Sequence, residues 1–260
     1  MRVLFMGDIV GRPGRDVVKV RLPHIISSEK IDFVVANGEN AAGGSGLTPS
    51  ICDELLGYGI NVITSGDHIW KKKEIVDYII SSHNVLRPLN YPQGTPGLGA
   101  TVIESKNGFK VGVINILGRV FIEPMVENPF NVSYKQAELI RNETNVIIVD
   151  IHAEATSEKI ALGYHLDGMV SAIVGTHTHV QTADEKVLPG GTAYITDCGM
   201  TGPFDGVIGR KKEEILTRFI TQMPTHFEVC EGDVRINGVI IDVDDKSGKA
   251  LSVKRVNVPL

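Results

Sequence analysis

At 260 residues, 42% hydrophobic and 22% charged, the chain has the composition of an ordinary globular protein, with material for one α/β domain over residues 1–260. Its 26 basic and 31 acidic side chains leave a net charge of −5, which argues against a long nucleic-acid track but not against a nucleotide-sized anion held by a local cation. Cys52, Cys198 and Cys230 are too scattered for a disulfide framework, no apolar run reaches membrane-spanning length, and the opening residues break too early for a signal peptide. A cytoplasmic protein with no membrane partner is expected.

Val3-Leu4-Phe5-Met6 predicts a buried strand ending in Gly7-Asp8-Ile9-Val10-Gly11, and ligands of open α/β sheets collect beyond such carboxyl ends. The glycines there match neither a dinucleotide fingerprint nor a P-loop. A helix is expected over 15–27, kinked or broken by Pro23. Phe33-Val34-Val35-Ala36 is a second strand that exits through Asn37-Gly38-Glu39-Asn40 into a Gly43-Gly44-Ser45-Gly46 loop. Thr48-Pro49 then caps a helix that stops near Gly57. The third strand, Asn61-Val62-Ile63-Thr64, leaves through Ser65-Gly66-Asp67-His68-Ile69-Trp70. The triplet Lys71-Lys72-Lys73 reads as a solvated face of the following helix, and Trp70 as core.

A proline-rich loop over 85–97 crosses an edge and leads to a hairpin of 100–104 with 110–116. Residues 118–131 lack periodicity and read as a lid or specificity loop, with Phe121, Met125 and Phe130 as candidates for nucleobase contact. A helix over 133–142 precedes Val146-Ile147-Ile148-Val149, whose exit carries His152. Another helix, 157–165, leads to the strand Val170-Ser171-Ala172-Ile173-Val174 and to Gly175-Thr176-His177-Thr178-His179. In an extended segment His177 and His179 share a face and reach one site. Ala193-Tyr194-Ile195-Thr196 ends in a glycine-punctuated loop, and a helix over 210–222 and a hairpin of 239–243 with 251–256 follow. The other histidines, His24, His83, His165 and His226, fall away from the strand exits and read as surface or packing residues.

Five strand exits thus carry Asp8, Glu39 with Asn40, Asp67 with His68, His152, and His177 with His179. Carboxylate and amide oxygens mixed with imidazole suit Fe, Mn or Zn rather than Ca or Mg. The set is too rich for one tetrahedral structural zinc, and no thiolates accompany it. Two cations bridged by one carboxylate would use every group.

The ordered pieces Gly7-Asp8, Asn37-Gly38-Glu39-Asn40, Gly66-Asp67-His68, His152 and His177-Thr178-His179 resemble the calcineurin-like metallophosphoesterase superfamily. With Gly7-Asp8-Ile9-Val10-Gly11, Asn37-Gly38-Glu39-Asn40-Ala41 and Leu188-Pro189-Gly190-Gly191-Thr192-Ala193-Tyr194, the chain is most similar to its 2′,3′-cyclic-nucleotide 2′-phosphodiesterase branch. The resemblance implies a four-layer α-β-β-α sandwich with a dinuclear metal site at the strand carboxyl ends. It implies that Asp8, Asn40 and His179 bind one metal, that Asp67, His152 and His177 bind the other, and that Glu39 bridges both. It further implies two divalent or mixed-valence ions, Fe foremost and Mn second, and hydrolysis of 2′,3′-cyclic nucleotides to 3′-nucleotides by metal-activated hydroxide, with His68 as general acid. The substrate would be a small cyclic nucleotide or another phosphodiester; homo-oligomerisation stays open. Two departures stand out: Val10 replaces the superfamily's usual histidine, as in the branch, and Asp67 replaces the usual asparagine. A metal-dependent phosphomonoesterase and a non-catalytic metal-binding regulatory protein are the alternatives.

Overall fold

The computed structural model describes Met1–Leu260. From the N-terminus come β1 (Arg2–Met6), β2 (Asp8–Ile9), α1 (Gly11–Glu29), β3 (Phe33–Asn37), α2 (Pro49–Gly57), β4 (Val62–Thr64) and α3 (Ile75–Ser81). The hairpin β5 (Ala100–Glu104) and β6 (Lys110–Leu117) opens a second half, continued by α4 (Pro129–Ile140), β7 (Ile147–His152), α5 (Thr156–His165), β8 (Ala172–Thr176), β9 (Lys186–Val187) and β10 (Ala193–Ile195). The chain returns through β11 (Met200–Pro203), α6 (Lys212–Thr221) and the long hairpin β12 (Val234–Val243) and β13 (Ala250–Pro259).

Strand alternation decides the layering. In β1, Val3 and Phe5 point one way and Leu4 and Met6 the other, and both sets are buried. Val3, Phe5, Phe33, Val35 and Val62 meet Val111, Val113, Ile148, Ala172 and Val174 between two sheets. Leu4, Met6, Val34 and Ala36 pack instead with Val18, Leu22 and Leu55 of α1 and α2. On the far side, Ile114, Val149 and Ile173 pack with Ala137 of α4 and Leu162 of α5. The result is the expected α-β-β-α sandwich, with sheet orders β2-β11-β12-β1-β3-β4 (β13 on β12) and β5-β6-β7-β8-β10-β9. β1, β3 and β4 are parallel in the first sheet, and β6, β7, β8 and β10 in the second.

Three expectations are adjusted. Helix α1 begins at Gly11 and runs through Pro23 unbroken, because Pro23 and Lys19 lie on the exposed face, where water can serve the carbonyl the proline leaves unpaired. Helix α4 begins at Pro129, four residues early, since Asn128 Oδ1 accepts from the amides of Phe130 (2.9 Å) and Asn131 (3.4 Å), with proline at the first position. The proline-rich loop covers the β4 edge as expected, yet it also reaches inward: Leu86 takes a place between the sheets, and its amide donates to the Ile63 carbonyl. No helix is long and apolar enough to cross a membrane.

Candidate metal centre

A polar layer joins the two sheets just below their carboxyl ends. Ile148 of β7 faces the intersheet core, so Asp150 and His152 face the same way further along the strand. Asp150 is a buried carboxylate that accepts from Thr64 Oγ1 (2.5 Å), Thr176 Oγ1 (2.7 Å) and Asn37 Nδ2 (2.9 Å), and burial pushes its pKa up to about 6. Asn115 of β6 makes two 2.9 Å bonds to the Ser65 backbone. Side chains from β3, β4, β6, β7 and β8 therefore fix the rim before any residue above it is placed.

On that rim all eight residues from the five strand exits meet. Glu39 Oε2 lies 3.2 Å from His152 Nε2, and Glu39 Oε1 lies 3.3 Å from His68 Nδ1. His152 Nε2 is 3.0 Å from His177 Nδ1 and 3.5 Å from Asp67 Oδ1. Asn40 lies 3.1 Å from His179 Nε2, which is 3.8 Å from Asp8 Oδ1. Ligand atoms of Glu39, Asp67, His152 and His177 all fall within 4.8 Å of one another. Burial raises the Asp8 carboxyl above its usual range, whereas the imidazoles of His152 and His68 overrule burial and hold Glu39 well below it.

Two features identify this as a place for cations. Asp8 Oδ1 and Asp67 Oδ1 are buried in the cluster and have no hydrogen-bond partner, which leaves two carboxylate oxygens free to bind a cation. Three of the four clustered histidines also have their second nitrogen anchored, which aims the first at the cluster. His152 Nδ1 meets Thr176 Oγ1 at 2.8 Å, His177 Nε2 meets Glu154 Oε2 at 3.1 Å, and His179 Nδ1 meets the Ile208 carbonyl at 3.0 Å.

The His-x-His segment is not extended, which corrects the simple picture of alternating faces. Strand β8 ends at Thr176, and His177 and His179 adopt φ values of 100° and 65°. Thr178, between them, is tied by its amide (3.0 Å) and hydroxyl (2.8 Å) to Asp197, whose carboxylate is paired at 2.8 Å with the fully buried Lys159. That ion pair holds the strained turn in place. Gly66 has a different necessity: a Cβ there would stand 2.1 Å from Glu39 Oε2 and 2.3 Å from His152 Nε2. Gly66→Ala should keep the fold by circular dichroism yet lose metal affinity beyond the roughly 10–100-fold cost of removing an outer partner; unchanged metal uptake would contradict this packing.

A cavity of about 300 Å³ opens over the cluster, lined by Glu39, Asn40, His68, His177 and His179 together with Glu154, Thr178, Ile208 and Arg210. Sequence reasoning missed the last four, and Asp150, Lys159 and Asp197 beneath. Asp150, Glu154 and Asp197 carried a signal, as further acids at strand exits. Phe121, Met125 and Phe130 do not line this cavity. Phe121 and Met125 are 87% and 92% exposed, while Phe130 sits in the first turn of α4, edge-on to His165 at 5.5 Å. Trp70 packs against the core and edge-on to Tyr91, as expected.

Residues 4–256 match the family model described as YmdB-like protein. The chain is 51% identical to the 2′,3′-cyclic-nucleotide 2′-phosphodiesterase of Bacillus subtilis (strain 168), over 98% of this chain and 96% of that one. Among solved structures, a hypothetical protein from Thermus thermophilus superposes with a TM-score of 0.92 at 39% identity, covering 100% of this chain and 99% of that one. A novel phosphatase from Mycoplasma pneumoniae superposes with a TM-score of 0.93 at 35% identity, covering 100% and 93%.

Proposed function

The chain belongs to the YmdB-like protein family, and from that premise we propose a metal-dependent phosphodiesterase that opens 2′,3′-cyclic nucleotides to 3′-nucleotides. The observation that carries the metal requirement is the pair of buried, unpartnered carboxylate oxygens on Asp8 and Asp67. Asp8, Asn40 and His179 would hold one cation, Asp67, His152 and His177 a second, and Glu39 both. Asn40 turns its amide nitrogen toward Glu39 and His179, so a half-turn of the amide would present its oxygen instead. The hard-oxygen and imidazole donor set suits Fe, Mn or Zn, and the family resemblance puts iron first and manganese second. When bound, the cations supply the Lewis acidity that makes water a nucleophile near neutral pH.

The residues of the chain do the rest. Breaking the P–O2′ bond leaves an alkoxide, which departs poorly without a proton. His68 lines the cavity, and its Nδ1 lies 3.3 Å from Glu39 Oε1, a carboxylate oxygen that would hold a proton on that nitrogen and leave Nε2 as the atom that delivers one. A hydrogen bond to Glu39 raises the His68 pKa above its ordinary 6.5 in the protein alone, and cations held by Glu39 would oppose that shift. Three free, buried cysteines suit the reducing cytoplasm in which we place the protein.

Asp67 sets the charge. Two dications against Asp8, Glu39 and Asp67 leave +1, where asparagine at 67 would leave +2. Asp67→Asn should therefore bind anionic phosphate more strongly and turn over faster; an equal or lower kcat would contradict this account. The proposed activity is tested by product analysis on a nucleoside 2′,3′-cyclic phosphate with Fe or Mn restored. A 3′-nucleotide without free phosphate is expected. Free phosphate from nucleotide monoesters would point to a phosphatase, and metal-replete protein inert toward both to a regulatory role.

A further inference from the structure

Val207 and Arg210 exchange two 2.9 Å backbone hydrogen bonds around Ile208 and Gly209, whose φ values are 45° and 87°. Positive φ at both central positions is the mark of a type I′ turn, which favours asparagine, aspartate or glycine at its first centre. A β-branched residue is the poorest occupant of that position. Gly209 answers the turn's demand; Ile208 defies it. Turn formation does not explain the isoleucine, and neither does the bond from His179 to the Ile208 carbonyl, since any residue supplies a carbonyl. The side chain is not buried in a core either: it is 48% exposed. It lines the cavity over the metal cluster, and it is the one hydrophobic residue to do so.

We infer that Ile208 is a specificity residue, the apolar wall against which the nucleobase of the substrate packs while the cyclic phosphate lies over the metal cluster. Every other lining residue is polar or charged, so a base entering this cavity finds one surface for its apolar face. The strain kept at the turn tip accords with that use, because strained residues persist where the side chain serves a ligand. The inference rests on the cyclic-nucleotide reading above, and its test separates the two.

The variant is Ile208→Asn, which suits the turn and so should fold with an equal or higher melting temperature. Kinetics compare adenosine 2′,3′-cyclic phosphate with the base-free 1-O-methylribose 2′,3′-cyclic phosphate. For the nucleotide, KM should rise about tenfold with kcat nearly unchanged, the change expected from losing one apolar contact. The base-free substrate should show the same KM with either protein. Ile208→Leu should restore the wild-type KM for the nucleotide, and adenosine 3′-monophosphate should bind Ile208→Asn about tenfold more weakly by calorimetry. Equal KM shifts for both substrates, or a fall in kcat alone, would overturn the assignment and leave Ile208 as a support for His179. Wild-type protein inert toward both substrates would instead remove the phosphodiesterase reading itself, and this assignment with it.

Discussion

Replacing His68 by glutamine should lower kcat on adenosine 2′,3′-cyclic phosphate by about 10²–10⁴-fold with little change in KM. The reasoning starts from the leaving group. An alkoxide needs its proton as the bond to phosphorus breaks, whereas a nitrophenolate leaves well alone. The same variant should therefore lose far less activity on methyl p-nitrophenyl phosphate. A similar loss on both substrates would mean that His68 supports the cluster, through Asn40 and Glu39, and does not deliver a proton. The pH profile adds a second reading. His68 must be protonated to act as the acid, so wild-type kcat should fall as the pH rises through the His68 pKa of the metal-loaded enzyme. The glutamine variant should lack that alkaline limb.

Cutting the Lys159–Asp197 pair should have the largest effect on stability. Both side chains are fully buried, and Asp197→Ala leaves an ammonium group with no counter-charge, at a cost of about 3–5 kcal/mol in urea unfolding. That is a large fraction of the ~5–15 kcal/mol typical of a whole protein. A double variant, Lys159→Met with Asp197→Leu, removes both charges and should recover much of the loss, because well-packed apolar pairs often match buried ion pairs. Metal binding should not recover with it. Thr178 would still lack the carboxylate that ties its amide and hydroxyl, so the turn carrying His177 and His179 would be free to relax. Metal affinity restored along with stability would show that the pair serves the fold alone.

What the sequence made legible was the ends of strands. An apolar run such as Phe33-Val34-Val35-Ala36 followed at once by Asn37-Gly38-Glu39-Asn40 places chemistry at a carboxyl end, and parallel neighbours bring such ends together. Two sheets share the site: β1, β3 and β4 contribute from one, β7 and β8 from the other, across an apolar core that includes Phe5 and Phe33. The supporting residues were not legible, because each partner comes from a remote element. Glu154 gains meaning only beside His177, Lys159 only beside Asp197, and Arg210 only where the loop after β11 folds over the cavity. The turn at His177 and His179 was hidden for a related reason. Nothing local favours positive φ at a histidine; the distant Asp197 imposes it through Thr178. The aromatic residues of 118–131 misled because an aperiodic stretch beside a site resembles a lid, although Asn128-Pro129 already marked the start of a helix.

Calorimetric titration of chelator-treated protein with Mn²⁺, followed by assay of each titration point, tests the central claim most directly. Uptake of about two ions per chain is expected, with hydrolysis appearing only as the second is bound, and with Asp8→Asn and His152→Ala each failing to reach that stoichiometry. Full hydrolysis by the chelator-treated protein, or uptake unaffected by either substitution, would contradict the account.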